Sequence, residues 1–79
     1  MVEDIKADET LDARGLSCPM PILKTKKQIG KMAAGQVLEI FSTDPGTGND
    51  LPSFAKRGGH EYLGSKEDQG FIRYYIKKG

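Results

Sequence analysis

Thr10-Leu11-Asp12-Ala13-Arg14-Gly15-Leu16-Ser17-Cys18-Pro19-Met20-Pro21 carries the reading on which the fold turns. Residues 10–13 alternate polar and apolar, the period of a short strand with one face buried, and Arg14-Gly15 ends it. Pro19 and Pro21 then mark the first turn of a helix, where backbone N–H groups have no partner inside the helix and proline is well tolerated. Cys18 falls at or beside the N-cap. Unpaired N–H groups and the helix macrodipole favour thiolate over thiol there, and draw a cysteine pKa below its usual ~8.5. Without context a free cysteine reads as a small buried hydrophobe, but such a residue lies inside an apolar stripe, whereas Cys18 follows Ser17 at a strand-to-helix junction. We therefore read it as a reactive, nucleophilic thiol.

Working outward, the helix runs from 19 to about 33, with Ile22, Leu23, Ile29, Met32 and Ala33 roughly on one side and lysines elsewhere. Gly30 weakens it and Gly35 stops it. Residues 37–41 form a second strand, rich in branched and aromatic side chains. Residues 42–47 supply turn and cap chemistry before a second amphipathic helix carrying Leu51, Phe54 and Ala55, with Pro52 in its first turn or two and Gly58-Gly59 closing it. Runs at 60–65 and 71–77, separated by a polar turn containing Asp68-Gln69-Gly70, make a hairpin. The order is β-α-β-α-β-β. It predicts an α/β two-layer sandwich of the α+β type: a mixed four-stranded sheet with both helices on one face.

A right-handed crossover between the first two strands makes them parallel, so both helices start at the same sheet edge. Cys18 and the segment 44–47 then project from the carboxyl ends of the strands, where α/β sheets commonly place their sites. Asp44 reads as an N-cap or Asx-turn residue that is also a neighbour of the thiol. A carboxylate there opposes thiolate formation, so its benefit lies in orienting a partner or a proton.

Seventy-nine residues make one domain, in which 1–8 read as a loose polar terminus. No apolar run is long enough to span a membrane, and the start of the chain has no basic-then-apolar signal pattern, so a cytosolic location is expected. The single cysteine allows no internal disulfide, which fits a reducing compartment. Cys18 and His60 alone do not make a metal site, and no metal or other cofactor is expected. A formal net charge of +1 argues against a chain built to grip a polyanion, although Lys24, Lys26, Lys27 and Lys31 gather on the first helix and Arg73, Lys77 and Lys78 near the C-terminus.

The stretch 11–21 with Leu23-Lys24 and Lys26-Lys27, together with Asp44-Pro45, Asp50-Leu51-Pro52, Phe54 and Gly59-His60-Glu61, resembles the signature of the TusA/SirA-like sulfur carriers. The resemblance runs from about Thr10 to the C-terminus and centres on Cys-Pro-x-Pro. It implies the same two-layer fold and a motif cysteine, Cys18, that accepts a sulfane sulfur as a persulfide and passes it on. The implied partners are a cysteine desulfurase or rhodanese-like donor and a downstream acceptor of the TusBCD or DsrE kind. The routes include thiolation of tRNA wobble uridine, molybdenum cofactor synthesis and dissimilatory sulfur oxidation. Nucleic acid is then reached only indirectly, no membrane is involved, and the chain is expected to act as a monomeric carrier rather than an enzyme with a small-molecule substrate. Pro19 and Pro21 would set the helix start, and Met20, Leu23, Lys26 and Asp44 would form the docking rim. Leu23 reads equally well as core packing, and Lys26 as part of a solvated face.

The chemistry agrees with that role. A thiolate can attack an electrophilic persulfide, and with no second cysteine the product cannot discharge internally as a disulfide, which favours handing the sulfur to another protein. Three other readings compete. A small RNA-binding module would use the basic first helix, but Tyr74 and Tyr75 point to opposite sheet faces by alternation, leaving no evident stacking platform. A cysteine hydrolase pairing Cys18 with His60 needs a substrate cleft that so short a chain scarcely provides. A purely structural or regulatory role would require a buried, unreactive thiol.

Overall fold

Burial alternates along strand β2 (Val37–Ser42): Leu38, Ile40 and Ser42 are buried, while Val37, Glu39 and Phe41 turn to the other side. This period of two defines the two faces of the sheet. The computed structural model describes residues 7–17 and 20–79. Strand β1 (Glu9–Ala13) pairs with β2 in parallel, placing Leu11 beside Ile40 and Ala13 beside Ser42. Strand β4 (Phe71–Lys77) pairs with β2 antiparallel, placing Ile76 beside Leu38, Tyr74 beside Ile40 and Ile72 beside Ser42. Strand β3 (Glu61–Asp68) completes the hairpin, and the sheet order is β1-β2-β4-β3.

Helices α1 (Met20–Ile29) and α2 (Thr47–Gly58) both pack on the face that carries Ala13, Leu38, Ile40, Tyr74 and Ile76, adding Ile29 from α1 and Leu51 and Ala55 from α2 to one core. The architecture is the expected two-layer α+β sandwich with a mixed four-stranded sheet. Because β1 and β2 are parallel and joined by α1, the segment leading into α1 and the segment leading into α2 leave the sheet at the same edge.

Three details depart from the sequence reading. The first helix ends at Ile29 rather than near Ala33. After the Gly30 amide bonds the Lys26 carbonyl, Lys31 and Met32 bond Gln28 and Ile29, a spacing of three that tightens the chain out of the α-helix. Its buried stripe is Pro21, Thr25 and Ile29, while Leu23 and Ala33 are exposed. Thr25 tolerates burial because its hydroxyl donates to the Pro21 carbonyl oxygen at 2.8 Å. Strand β3 reaches Asp68 instead of ending near Ser65, and its register shifts between Tyr62 and Gly64. Asp8, read as part of a loose terminus, extends the β1–β2 ladder: its amide donates to the Val37 carbonyl and its carboxylate accepts the Val37 amide, both at 2.9 Å. Residues 1–6 lie outside the described residues.

No helix among the described residues packs on the opposite sheet face. There the rings of Phe41 and Phe71 pack tilted at 50° with centroids 5.0 Å apart, and the guanidinium groups of Arg14 and Arg73 lie 4.9–5.7 Å from the two rings. Tyr75 donates its hydroxyl to Glu39 at 2.7 Å, and burial, followed by the Glu39 carboxylate, pushes that phenol's pKa up. Tyr74 lies on the core side, so the two tyrosines do face opposite ways. No helix among the described residues is long and apolar enough to cross a membrane.

Candidate functional site at the shared helix-start edge

In the segment between β1 and α1, residues 14–16 are held by their backbone amides. Asp12 accepts the Arg14 amide at 3.1 Å and grips the Arg14 guanidinium with both carboxylate oxygens at 2.9 Å. The guanidinium, and then that backbone N–H, hold the Asp12 carboxyl down at about 2. Gly15, at φ 81°, adopts the left-handed conformation that lets the chain turn, and its amide donates to Thr43 Oγ1 at 2.9 Å. Leu16 donates to the Ala13 carbonyl at 3.3 Å, and further on Met20 donates to the Ser17 carbonyl at 2.9 Å. Cys18 and Pro19, the expected carrier thiol and one of the two helix-start prolines, lie outside the described residues.

The segment between β2 and α2 is built from side-chain oxygens. Ser42 Oγ accepts the Asp44 amide at 3.2 Å, and Asp44 Oδ1 accepts the Gly46 amide at 3.3 Å. Asp44 thus forms an Asx turn. The helix N-cap is Gly46, with no side-chain cap, which settles the two local roles read for Asp44 in favour of the turn. Beneath the turn, Ser42 and Thr47 are both buried and share a hydroxyl hydrogen bond of 2.8 Å. The buried pair fixes the turn to the end of β2.

The other expected site residues divide into two groups. Met20 and Leu23 are exposed by 42% and 52%, large values for apolar residues on a helix that buries Ile29. Leu23 and Lys26 line a groove of about 570 Å³ between α1 and α2, with Ile22 and Phe54 adding apolar wall and Asp50 and Arg57 adding charge. Asp44 belongs elsewhere, to a depression of about 300 Å³ shared with Thr43, Pro45, Asp68 and Phe71. Pro21 is buried in the α1 stripe. Residues 42–47 read as turn and cap chemistry without singling out the Thr43 bond or the Ser42–Thr47 pair, and the contribution of Phe54 and Arg57 to the groove has no counterpart in the sequence reading. A run of Ser-Thr-Asp after a strand is the signal that points to side-chain bonds with the backbone.

His60 has structural employment. Its amide closes α2 on the Ala55 carbonyl at 2.8 Å, its ring lies 5.6 Å from Phe54, and its Nδ1 accepts the Gly79 amide at 3.0 Å. It stands beyond the C-terminal end of α2, about 18 Å by helical rise from the edge where both helices begin. That separation weighs against a catalytic pairing with the segment before α1. No cluster among the described residues has the ligands to hold a metal ion.

Fold and site together define a small two-layer α+β protein whose two helix-leading loops are bonded to each other at one sheet edge. Residues 9–78 match the family of sulfurtransferase TusA, and the chain belongs to that family. It is 49% identical over 71 residues to the sulfur carrier protein TusA of Allochromatium vinosum, covering 90% of this chain and 93% of that protein. It is 51% identical over 75 residues to YrkF of Bacillus subtilis, which covers 95% of this chain but only 40% of YrkF. Among solved structures, a SirA-like protein from Desulfitobacterium hafniense superposes with a TM-score of 0.74 at 31% identity, covering 90% of this chain and 97% of that one.

Proposed function

We propose that this chain is a sulfur carrier in which Cys18 holds the travelling sulfur as a persulfide. Membership of the TusA family over residues 9–78 is the observation that carries this reading. The relative from Allochromatium vinosum, named a sulfur carrier, aligns over nearly its whole length. Loading is redox-neutral: the Cys18 thiolate attacks the terminal sulfur of a donor persulfide, the donor S–S bond breaks, a new S–S bond forms on Cys18, and the donor leaves as thiolate. Unloading repeats the exchange, with an acceptor thiolate as attacker and Cys18 as leaving group. The start of α1 at Met20, two positions after Cys18, supports an environment that favours the anionic form of both groups.

Donor and acceptor are proteins in this reading, a cysteine desulfurase or rhodanese-like donor and an acceptor in a relay such as tRNA thiolation or dissimilatory sulfur metabolism, with the chain acting in the cytoplasm. The exposed Met20 and Leu23, with the groove that Lys26 and Arg57 border, give such partners an apolar and basic landing strip along α1. Asp44 meets a partner from the other side of the edge. Intact-protein mass spectrometry after incubation with a cysteine desulfurase and cysteine tests the proposal. One added sulfur atom, removed by reductant and absent from Cys18→Ser, is expected. No gain in the wild-type chain, or a gain that persists in Cys18→Ser, refutes it.

A further inference from the structure

We propose that Thr43 is a positioning residue for sulfur transfer, its hydroxyl locking the segment that leads into Cys18 against the loop that holds Asp44. This deepens the sulfur-carrier reading and rests on it.

Three consecutive side-chain oxygens at the end of β2 each take a backbone N–H. Ser42 takes that of Asp44, Thr43 that of Gly15, and Asp44 that of Gly46. Two of these bonds are local and shape the Asx turn. The Thr43 bond is different in kind, because it joins residues 28 apart in sequence and links the two segments on which the expected site residues lie. Its acceptor end is rigid: Thr43 stands between Ser42, anchored to buried Thr47, and Asp44, whose amide is bonded back to Ser42. Its donor end is Gly15, whose neighbours Arg14 and Leu16 direct their amides back into β1, to Asp12 and Ala13, while the Arg14 guanidinium rests on Phe41 and Phe71 and Leu16 packs against the core. Among the described amides of 14–16, the Gly15–Thr43 bond is the one that joins the pre-α1 segment directly to the loop of the Asp44 turn.

The consequence is chemical rather than merely architectural. Relay by Cys18 needs its sulfur at the start of α1 and open to a partner that also meets Asp44. A threonine side chain that is itself exposed contributes little to the core, so its removal loosens the alignment of the segment while leaving the fold standing. A hydrogen bond of ordinary net strength corresponds to about a two- to tenfold change in the aligned population.

The test compares Thr43→Val, which keeps the shape and loses the acceptor, with Thr43→Ser, which keeps the acceptor. Cys18 alkylation by iodoacetamide is followed across pH in the full chain, with thermal unfolding of each variant alongside. Alkylation near neutral pH about two- to tenfold slower in Thr43→Val, restored in Thr43→Ser at equal melting temperature, is the expected result. Equal rates in the wild type and Thr43→Val, or equal loss in both variants, overturn the proposal. Should Thr43→Val not fold, Thr43→Ala takes its place in the same comparison. Alkylation uses no sulfur donor, so a wild-type chain that gains no sulfur sinks the carrier reading without disturbing this measurement.

Discussion

Leu23→Gln separates docking from folding on α1. Leu23 keeps 52% of its surface in water, whereas Ile29, further along the same helix, keeps 3%. Full burial of a leucine side chain contributes about 1.5–3 kcal/mol, so covering the exposed half with a partner contributes about 1 kcal/mol, or about fivefold in Kd. Glutamine has nearly the helix propensity of leucine, and an exposed substitution of this kind changes stability by less than ~0.5 kcal/mol. Ile29→Ala empties a site in the closed core and costs about 2–5 kcal/mol, which in a chain this short lowers the melting temperature by roughly 10 °C or more. Calorimetric titration against a cysteine desulfurase, paired with scanning calorimetry of each variant alone, measures both quantities. Leu23→Gln is expected to weaken binding about fivefold and melt with the wild type, and Ile29→Ala to melt early. If Leu23→Gln binds the donor as the wild type does, or melts as early as Ile29→Ala, the exposed flank of α1 is not the landing strip.

Asp12 titrates with a midpoint of about 2, well below an ordinary carboxylate, and Arg14→Gln raises that midpoint because the guanidinium is its largest cause. Since the folded pKa lies below the unfolded one, this contribution to stability is present above the ordinary carboxylate range and is lost as pH falls through about 2. Carbon-detected NMR of the carboxyl checks it, and an unmoved midpoint in Arg14→Gln refutes the assignment. Ser42→Ala and Thr47→Val are each expected to cost about 1–3 kcal/mol in urea unfolding, and the double variant less than the sum by at least ~0.5 kcal/mol, since the two buried hydroxyls bond one another. Strictly additive losses would show that the pair is not coupled.

Much of this architecture was legible because its signals are local. Strand β4 spans 71–77, the run set off by the polar turn at 68–70, and Pro19 and Pro21 place the beginning of α1 close to where it falls. The misreadings share a cause: they occur where one polar atom is satisfied by another that a hydropathy pattern does not register. Thr25 enters the α1 stripe because the Pro21 carbonyl accepts its hydroxyl, and counting only apolar residues put Leu23 there instead. β3 continues past Ser65 through Lys66-Glu67-Asp68 because β4 supplies its ladder partners, although none of those side chains announces a strand.

The site follows the same division. A cysteine between a strand and a proline-led helix is visible in a dozen residues, whereas the bond that ties its segment to the Asp44 turn spans 28 residues and depends on the parallel pairing of β1 with β2. The groove joins Leu23 and Lys26 on α1 with Phe54 and Arg57 on α2, a juxtaposition created by both helices packing on one face. Local chemistry can point to a candidate nucleophile, but the groove between α1 and α2 is made by the closure of the fold. Substitutions at Thr43 or in the groove are therefore expected to change how sulfur is handed over while leaving the Cys18 motif intact.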